Sequence, residues 1–257
     1  MKSIKKYDYH THNGYSGCAS KHPYSVKDGW KTAQDRGLIK WGISNHYPTR
    51  REYGNYIPKL RKEVDAMDND RILLGVEMEL EHEEGLNGLP DDIFKQLDYV
   101  IGSSHHQPMG FLKMPDLTDA DIGEFFESYR NVLVNSLKRL PIDIWGHPFL
   151  QELQHFGDRF WDSYLKPIFE ECLDICADKQ IAIELTPTYH NKCQAQPTTF
   201  PVLEKMYAMA VKHTAVPFVT SSDSHSLVGL ADLTIPLQYV KKFGITQERI
   251  LEIEKRR

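Results

Sequence analysis

Ile4-Lys5-Lys6-Tyr7-Asp8-Tyr9-His10-Thr11-His12 decides the fold. Residues 4–9 read as a short strand, and two histidines two apart stand at its carboxyl end. In an extended chain residues i and i+2 point the same way, so both imidazoles can converge on one ion. The pattern recurs outward along the chain. Strands are predicted over Ile4–Tyr9, Ile39–Ser44, Arg71–Glu77, Asp98–Ser103, Ile142–Trp145, Ile181–Thr186 and Pro217–Ser221. Helical stretches separate them. Ser25–Gly37 starts at a serine cap and ends in glycine. Pro58–Asp68 is charged and amphipathic, and Thr118–Arg139 opens with Thr-Asp-Ala-Asp, which suits a helix amino terminus. Asp158–Lys179 and Thr199–His213 follow, and the tail Thr246–Lys255 closes the chain.

Seven strands, each followed by a crossover, signal parallel βαβ units. The length of 257 residues suits one closed α/β barrel. No Gly/Ser/Pro-rich linker divides the sequence, so residues 1–257 are expected to form a single domain. A barrel and an open doubly wound sheet both collect ligand sites at the carboxyl ends of their strands.

Those ends carry the chemistry. His10 and His12 follow the first strand, His46 the second, and Glu77 ends the third. His105 and His106 follow the fourth and His147 the fifth. Glu184 lies in the sixth, and Asp223 and His225 follow the seventh. A lone histidine is usually a surface or hydrogen-bonded core residue, but chance does not place an imidazole or carboxylate at nearly every strand end. Imidazole plus carboxylate, with no thiolate in the set, suits Zn, Mn or Fe. The donors outnumber the needs of one tetrahedral ion, so two or three divalent metal ions sharing a carboxylate are expected. Such a centre activates water and clamps a phosphoryl group, and the expected reaction is hydrolysis by a metal-bound hydroxide.

Composition removes competing classes. Formal net charge is −5, which argues against a general binder of long nucleic acid. No run of roughly 18 apolar residues exists, so no membrane span is expected. The start, Met1–His10, lacks the apolar core of a secretory signal. Cys18, Cys172, Cys176 and Cys193 form no C-x-x-C pair, and reduced thiols in a cytoplasmic protein are expected. There is no G-x-G-x-x-G after a strand, no Walker A sequence and no G-x-S-x-G.

Two metal-dependent barrel families begin with H-x-H. The amidohydrolase type carries a bridging lysine at the end of strand four and a lone Asp at the last strand. Here those positions read Val100-Ile101-Gly102-Ser103-Ser104-His105 and Asp223-Ser224-His225. The sequence instead resembles the polymerase and histidinol phosphatase (PHP) family. The matching motifs are Asp8-Tyr9-His10-Thr11-His12, Ser44-Asn45-His46, Gly75-Val76-Glu77, Gly102-Ser103-Ser104-His105, Gly146-His147-Pro148 and Ser222-Asp223-Ser224-His225. They stand in family order from residue 8 to 225.

The resemblance implies a distorted (β/α)7 TIM-like barrel and a trinuclear site. It implies one ion on His10, His12, Glu77 and Asp223, and a second on Glu77, His105 and His147. A third would take His46, His225 and a histidine of the loop after the first motif, where His22 stands. His46, Glu77 and Asp223 thereby enter the catalytic set. Asp8 joins it as an orienter of an imidazole, and His106 is read as a neighbour of His105. Asn45 replaces the usual acid of the second motif, leaving Asp28, Glu79 and Glu81 as alternative proton donors. The length, the Gly75–Glu81 spacing and Ile183-Glu184-Leu185-Thr186 resemble the stand-alone histidinol-phosphatase branch. The implied activity is hydrolysis of a small phosphorylated substrate such as L-histidinol phosphate. The branch often has a basic residue just after the Gly-His motif, but residues 148–153 carry none. Phosphate partners are sought instead in Arg50, Arg51, Arg159, His190 and Lys192. Two other readings compete: a nuclease or nucleotide phosphodiesterase on the same site, and a non-catalytic metal-binding module.

Overall fold

The apolar runs pair as parallel strands, buried on both faces as such strands are under helical cover. A computed structural model describes residues 4–47, 56–86, 89–105 and 119–256. Its strands are β1 (Tyr7–Asp8), β2 (Lys40–Ile43), β3 (His46–Tyr47), β4 (Ile72–Glu79), β5 (Tyr99–Ser103), β6 (Ile144–Trp145), β7 (Ala182–Leu185) and β8 (Phe218–Thr220). Their order is β1-β2-β4-β5-β6-β7-β8, with β3 beside β4, and the pairings are parallel. The seven expected strands are all present. β3 continues β2 beyond Ser44 and Asn45, in a register that sets His46 opposite Glu77.

β1 and β8 meet at the seam. Thr220 Oγ1 donates to the Tyr7 carbonyl at 2.8 Å, and His12 N donates to the Ser224 carbonyl at 2.8 Å. The sheet thus closes into a distorted (β/α)7 barrel. Tyr99 fills its interior. A Cβ on Gly42 would stand 2.2 Å from the Tyr99 hydroxyl oxygen, and one on Gly75 2.4 Å from its ring. Only glycine lets these strands pass so close to the ring. Tyr99 donates to the Tyr9 carbonyl, which fixes the floor beneath the strand ends.

The helices follow their local signals with a few departures. The helix Val26–Asp35 is capped by Ser25, whose Oγ accepts from Asp28 N at 3.1 Å. Asp119–Arg139 matches expectation, Ile57–Asp65 starts one residue early and stops three short of Asp68, and Thr199–Lys212 stops one residue short. The stretch expected over Asp158–Lys179 instead opens with a π-turn at Trp161–Leu165, and Pro167 then starts the α-helix Lys166–Lys179. Leu150–Phe156 and Thr234–Phe243 are additional helices; the second tolerates Pro236 because it lies in the first turn.

The tail beyond Thr246 is one 3₁₀ turn and then an extended strap across the amino-terminal end of the barrel. Leu251 N donates to the Phe218 carbonyl at 2.8 Å. Among the described residues no helix is long and apolar enough to cross a membrane.

Candidate metal centre

Glu77 is the hub. It lies near the carboxyl end of β4 with 2% of its surface exposed. Five imidazoles approach its carboxylate: His46 Nδ1 at 2.8 Å, His147 Nε2 at 2.9 Å, His10 Nε2 at 3.4 Å, His12 Nε2 at 3.6 Å and His105 Nε2 at 3.8 Å. Asp223 Oδ1 lies 3.5 Å from His10 Nε2 and 3.3 Å from His12 Nε2. Residues from β1, β3, β4, β5, β6 and β8 or the turns after them therefore converge, because the barrel brings all strand ends to one rim.

Other side chains hold these groups in place. Glu184, buried in β7, takes His10 Nδ1 at 2.7 Å and accepts from His147 N at 2.7 Å. Ser221 Oγ also donates to it. Glu79 does the same for His105, reaching its Nδ1 at 2.7 Å and accepting from its backbone N–H. A carboxylate on the far ring nitrogen fixes both tautomer and ring orientation, leaving Nε2 aimed inward as a lone-pair donor. Thr188 Oγ1 donates to Asp223 Oδ2 at 2.7 Å, so the other oxygen faces the histidines. His147 and Asp223 carry positive φ, 25° and 48°. Non-glycine residues hold such angles only where their surroundings enforce them, and such strain gathers at functional sites.

The electrostatics favour a cation. Burial works against ionised Glu77, but the charges of His46 and His10 outweigh it and hold the carboxyl well below its usual range. Burial likewise opposes Asp223, and the neighbouring imidazoles of His10 and His12 pull it down. Burial pushes His12 down to about 3, so it stands as a neutral ring with a free lone pair. His10 goes the other way: burial opposes its charge, but Glu184, Glu77 and Asp223 raise it well above the usual value. No hydrogen bond closes His10 Nε2, His147 Nδ1 or either nitrogen of the fully buried His12.

An ion fits here. Two donors each about 2.0–2.1 Å from a tetrahedral ion stand roughly 3.3 Å apart. The 3.3–3.6 Å separations among His10, His12, Glu77 and Asp223 match that spacing. Four groups of donor atoms lie within 4.8 Å of one another: His10, His12 and Glu77; His10, His147 and Asp223; Glu77, His105 and His147; and His12, Cys18, His46 and His225.

Other expected residues lie elsewhere. His22 is exposed and belongs to none of these groups. Asp8 does not take the expected part of imidazole orienter. Its oxygens accept from Ser222 N at 2.9 Å, Ser222 Oγ at 2.7 Å and Ala231 N at 2.9 Å, so it anchors the turn bearing Asp223 and His225. Burial raises its carboxyl to about 6 against those bonds. Asn45 is locked to Asn13 by Asn13 N donating to its Oδ1 and its Nδ2 donating to Asn13 Oδ1, each at 2.8 Å. Asp28 is spent on the Ser25 cap.

Of the phosphate partners sought, Lys192 lines the cavity over the cluster. His190 packs on Phe200 and meets the Tyr239 hydroxyl at 2.9 Å, which turns it away from that cavity. Arg159 is exposed, with its guanidinium over the Phe160 ring at 5.0 Å. Arg50, Arg51 and His106 lie outside the described residues.

The cavity has a volume of about 330 Å³. Cys18, Leu150, Gln151, Gln154 and Thr188 line it beside the expected histidines, and sequence reasoning passed over all five. Gln151 and Gln154 sit three apart on a helix, where side chains share a face; that spacing was a readable signal once the helix was known.

These features define the class: a parallel barrel whose carboxyl end gathers side chains that could hold metal ions. Residues 8–188 match the family model of the PHP domain, and the chain belongs to that family. A probable phosphatase of Thermoanaerobacter sp. (strain X514) is 25% identical over 250 residues, 96% of this chain and 90% of that protein. A probable histidinol-phosphatase of Clostridium acetobutylicum is 24% identical over 237 residues, 85% of this chain and 86% of that one. Among solved structures, histidinol phosphate phosphatase from Lactococcus lactis, determined with zinc, L-histidinol and phosphate, has a TM-score of 0.64. That alignment covers 98% of each chain at 18% identity, so the likeness concerns the fold.

Proposed function

We propose that residues 1–257 form one metal-dependent phosphomonoesterase unit acting on a small phosphate monoester. The observation that carries this reading is Glu77, with five imidazoles inside 3.8 Å. Two or three divalent ions (Zn, Mn or Fe) are assigned to the donors. His10, His12, Glu77 and Asp223 would hold one, Glu77, His105 and His147 a second, and His46 and His225 belong to a third. Bound there, such ions supply Lewis acidity, which lowers the pKa of water and neutralises phosphoryl oxygens.

The chain's own residues do the rest. Glu184 and Glu79 keep His10 and His105 in the tautomer that donates from Nε2. Thr188 turns Asp223 toward the centre. Lys192 offers a cation to the phosphate, and the Gln154 amide also lines the cavity. A cavity of about 330 Å³ suits a small monoester and leaves little room for a polynucleotide. The names of the relatives make L-histidinol phosphate the first substrate to try. Among the described residues lining the cavity, the only carboxylates are Glu77 and Asp223, both turned to the centre. The substrate panel therefore extends beyond L-histidinol phosphate to other small monoesters.

The test is phosphate release from a panel of small monoesters, L-histidinol phosphate included, by protein stripped with chelator and reloaded with Zn or Mn. Metal-dependent release supports the reading. No turnover of any monoester with either metal sinks it, and turnover confined to diesters transfers the site to the phosphodiesterase reading.

A further inference from the structure

We infer that Cys18 is a metal ligand of this chain, completing with His46 and His225 the donor set that a loop histidine was expected to complete. The inference rests on the multi-ion centre proposed above. Its geometry comes from a short 3₁₀ turn, Gly17–Ala19, which follows the buried Ser16. The turn sets Cys18 at the mouth of the cavity, with the thiol lining it beside His46 and His225. The donor atoms of Cys18, His12, His46 and His225 all lie within 4.8 Å of one another. His22, four residues later, is carried past the rim by the same turn and is exposed.

A second observation points to a ligand independently of the cysteine. His12 is fully buried, and neither of its ring nitrogens has a hydrogen-bond partner. Its ring lies 4.4 Å from that of His225 and 4.6 Å from that of His46, centroid to centroid. Imidazole nitrogens gathered this closely can share one cation. Thiolate and imidazole together make a set suited to a tetrahedral ion of zinc type. Binding requires only that the thiol lose its proton to solvent as the ion arrives; no electron is transferred.

The remaining cysteines frame the test. Cys172, Cys176 and Cys193 are buried in the core, so Cys18 is the exposed thiol of the four. Chelator-stripped protein is titrated with Co²⁺, and its near-ultraviolet absorption is followed for a thiolate-to-cobalt charge-transfer band. The band is expected in the native chain, absent in Cys18→Ser and retained in His22→Asn. Cys18→His should restore the metal stoichiometry without the band. A parallel measurement needs no variant: Zn²⁺ should slow alkylation of the exposed thiol by at least about tenfold, as for a thiolate held on a metal.

Cobalt uptake without the band overturns the inference while leaving the metal centre intact. A band that survives in Cys18→Ser overturns it as well, by assigning the thiolate to another cysteine. No cobalt uptake at all overturns the metal centre itself, and the inference with it.

Discussion

The two ends of the barrel use the same residue types to opposite effect. At the amino-terminal end, charged and phenolic groups close on one another. Lys40 reaches Glu252 at 3.1 Å, Glu254 at 2.7 Å and the Ile253 carbonyl at 2.9 Å. Tyr7 donates to Glu252 at 2.6 Å. Asp98 accepts from Arg61 at 2.9 Å, Leu74 N at 2.8 Å and Arg256 N at 2.9 Å. At the carboxyl end, buried imidazole nitrogens lack partners, and two of the proposed ligands sit at positive φ. A buried polar atom left open costs free energy, so a stable fold tolerates a cluster of them only where something else binds. The difference teaches that charge density alone does not mark the site; a cluster of open, buried imidazole nitrogens does.

The comparison breaks most directly at Glu77. Glu77→Gln removes the negative charge that two ions would share. The expected result is loss of bound metal together with a fall in turnover larger than the ~10–100-fold typical of a partner that only orients a ligand. Elemental analysis showing unchanged metal content would contradict the bridging assignment. Glu184→Gln comes next. It keeps the volume but weakens the hold on His10 Nδ1 and His147 N. Metal affinity, read by chelator competition, should drop by about 10–100-fold while the barrel still folds. An unchanged affinity would mean that packing alone orients His10.

How much of this was legible in the sequence follows from the physics of each feature. The strands could be read because they are buried runs such as Ile72–Val76 and Tyr99–Ile101. The proposed ligands could be read because they sit at fixed offsets from those runs, as His10 and His12 do. Glu79 was half legible: it lies two residues beyond Glu77 on one strand and hence on the same face, yet nothing local says that it serves His105. Cys18 was not legible, because its position depends on one 3₁₀ turn and His22 nearby offers the more familiar donor. His190 failed for a tertiary reason, since Phe200 and Tyr239 enclose it. The tail failed because pairing with Phe218 and Tyr9 overrides its local helical pattern.

Lys192→Ala sharpens the comparison more gently. The side chain is exposed at the cavity, so the fold and the metal content should be unaffected. Loss of one charge-assisted contact to phosphate should raise KM for a monoester by about tenfold, with a smaller change in kcat. An unchanged KM would leave phosphate binding to the centre and Gln154.

The smallest effect belongs to the opposite end. The Tyr7 hydrogen bond, with help from Lys5 and Lys40, holds Glu252 down at about 2, against the burial that would raise it. A depressed carboxyl stabilises the fold above its unfolded pKa, near 4.5, and that contribution is lost as pH falls through the folded value near 2. Glu252 is partly exposed, so screening limits the contribution to about 1 kcal/mol. Glu252→Gln should lower the unfolding free energy from urea denaturation at pH 7 by that much, and the gap between the two proteins should narrow as the pH falls from 4.5 toward 2. Metal content and KM should not move, because Glu252 itself bonds Lys5, Tyr7 and Lys40 at the amino-terminal end. If Glu252→Gln also released metal, the two ends would be energetically coupled through the Tyr7–Tyr9–Tyr99 stack. The division between a closed, stabilising end and an open, functional end would then fail.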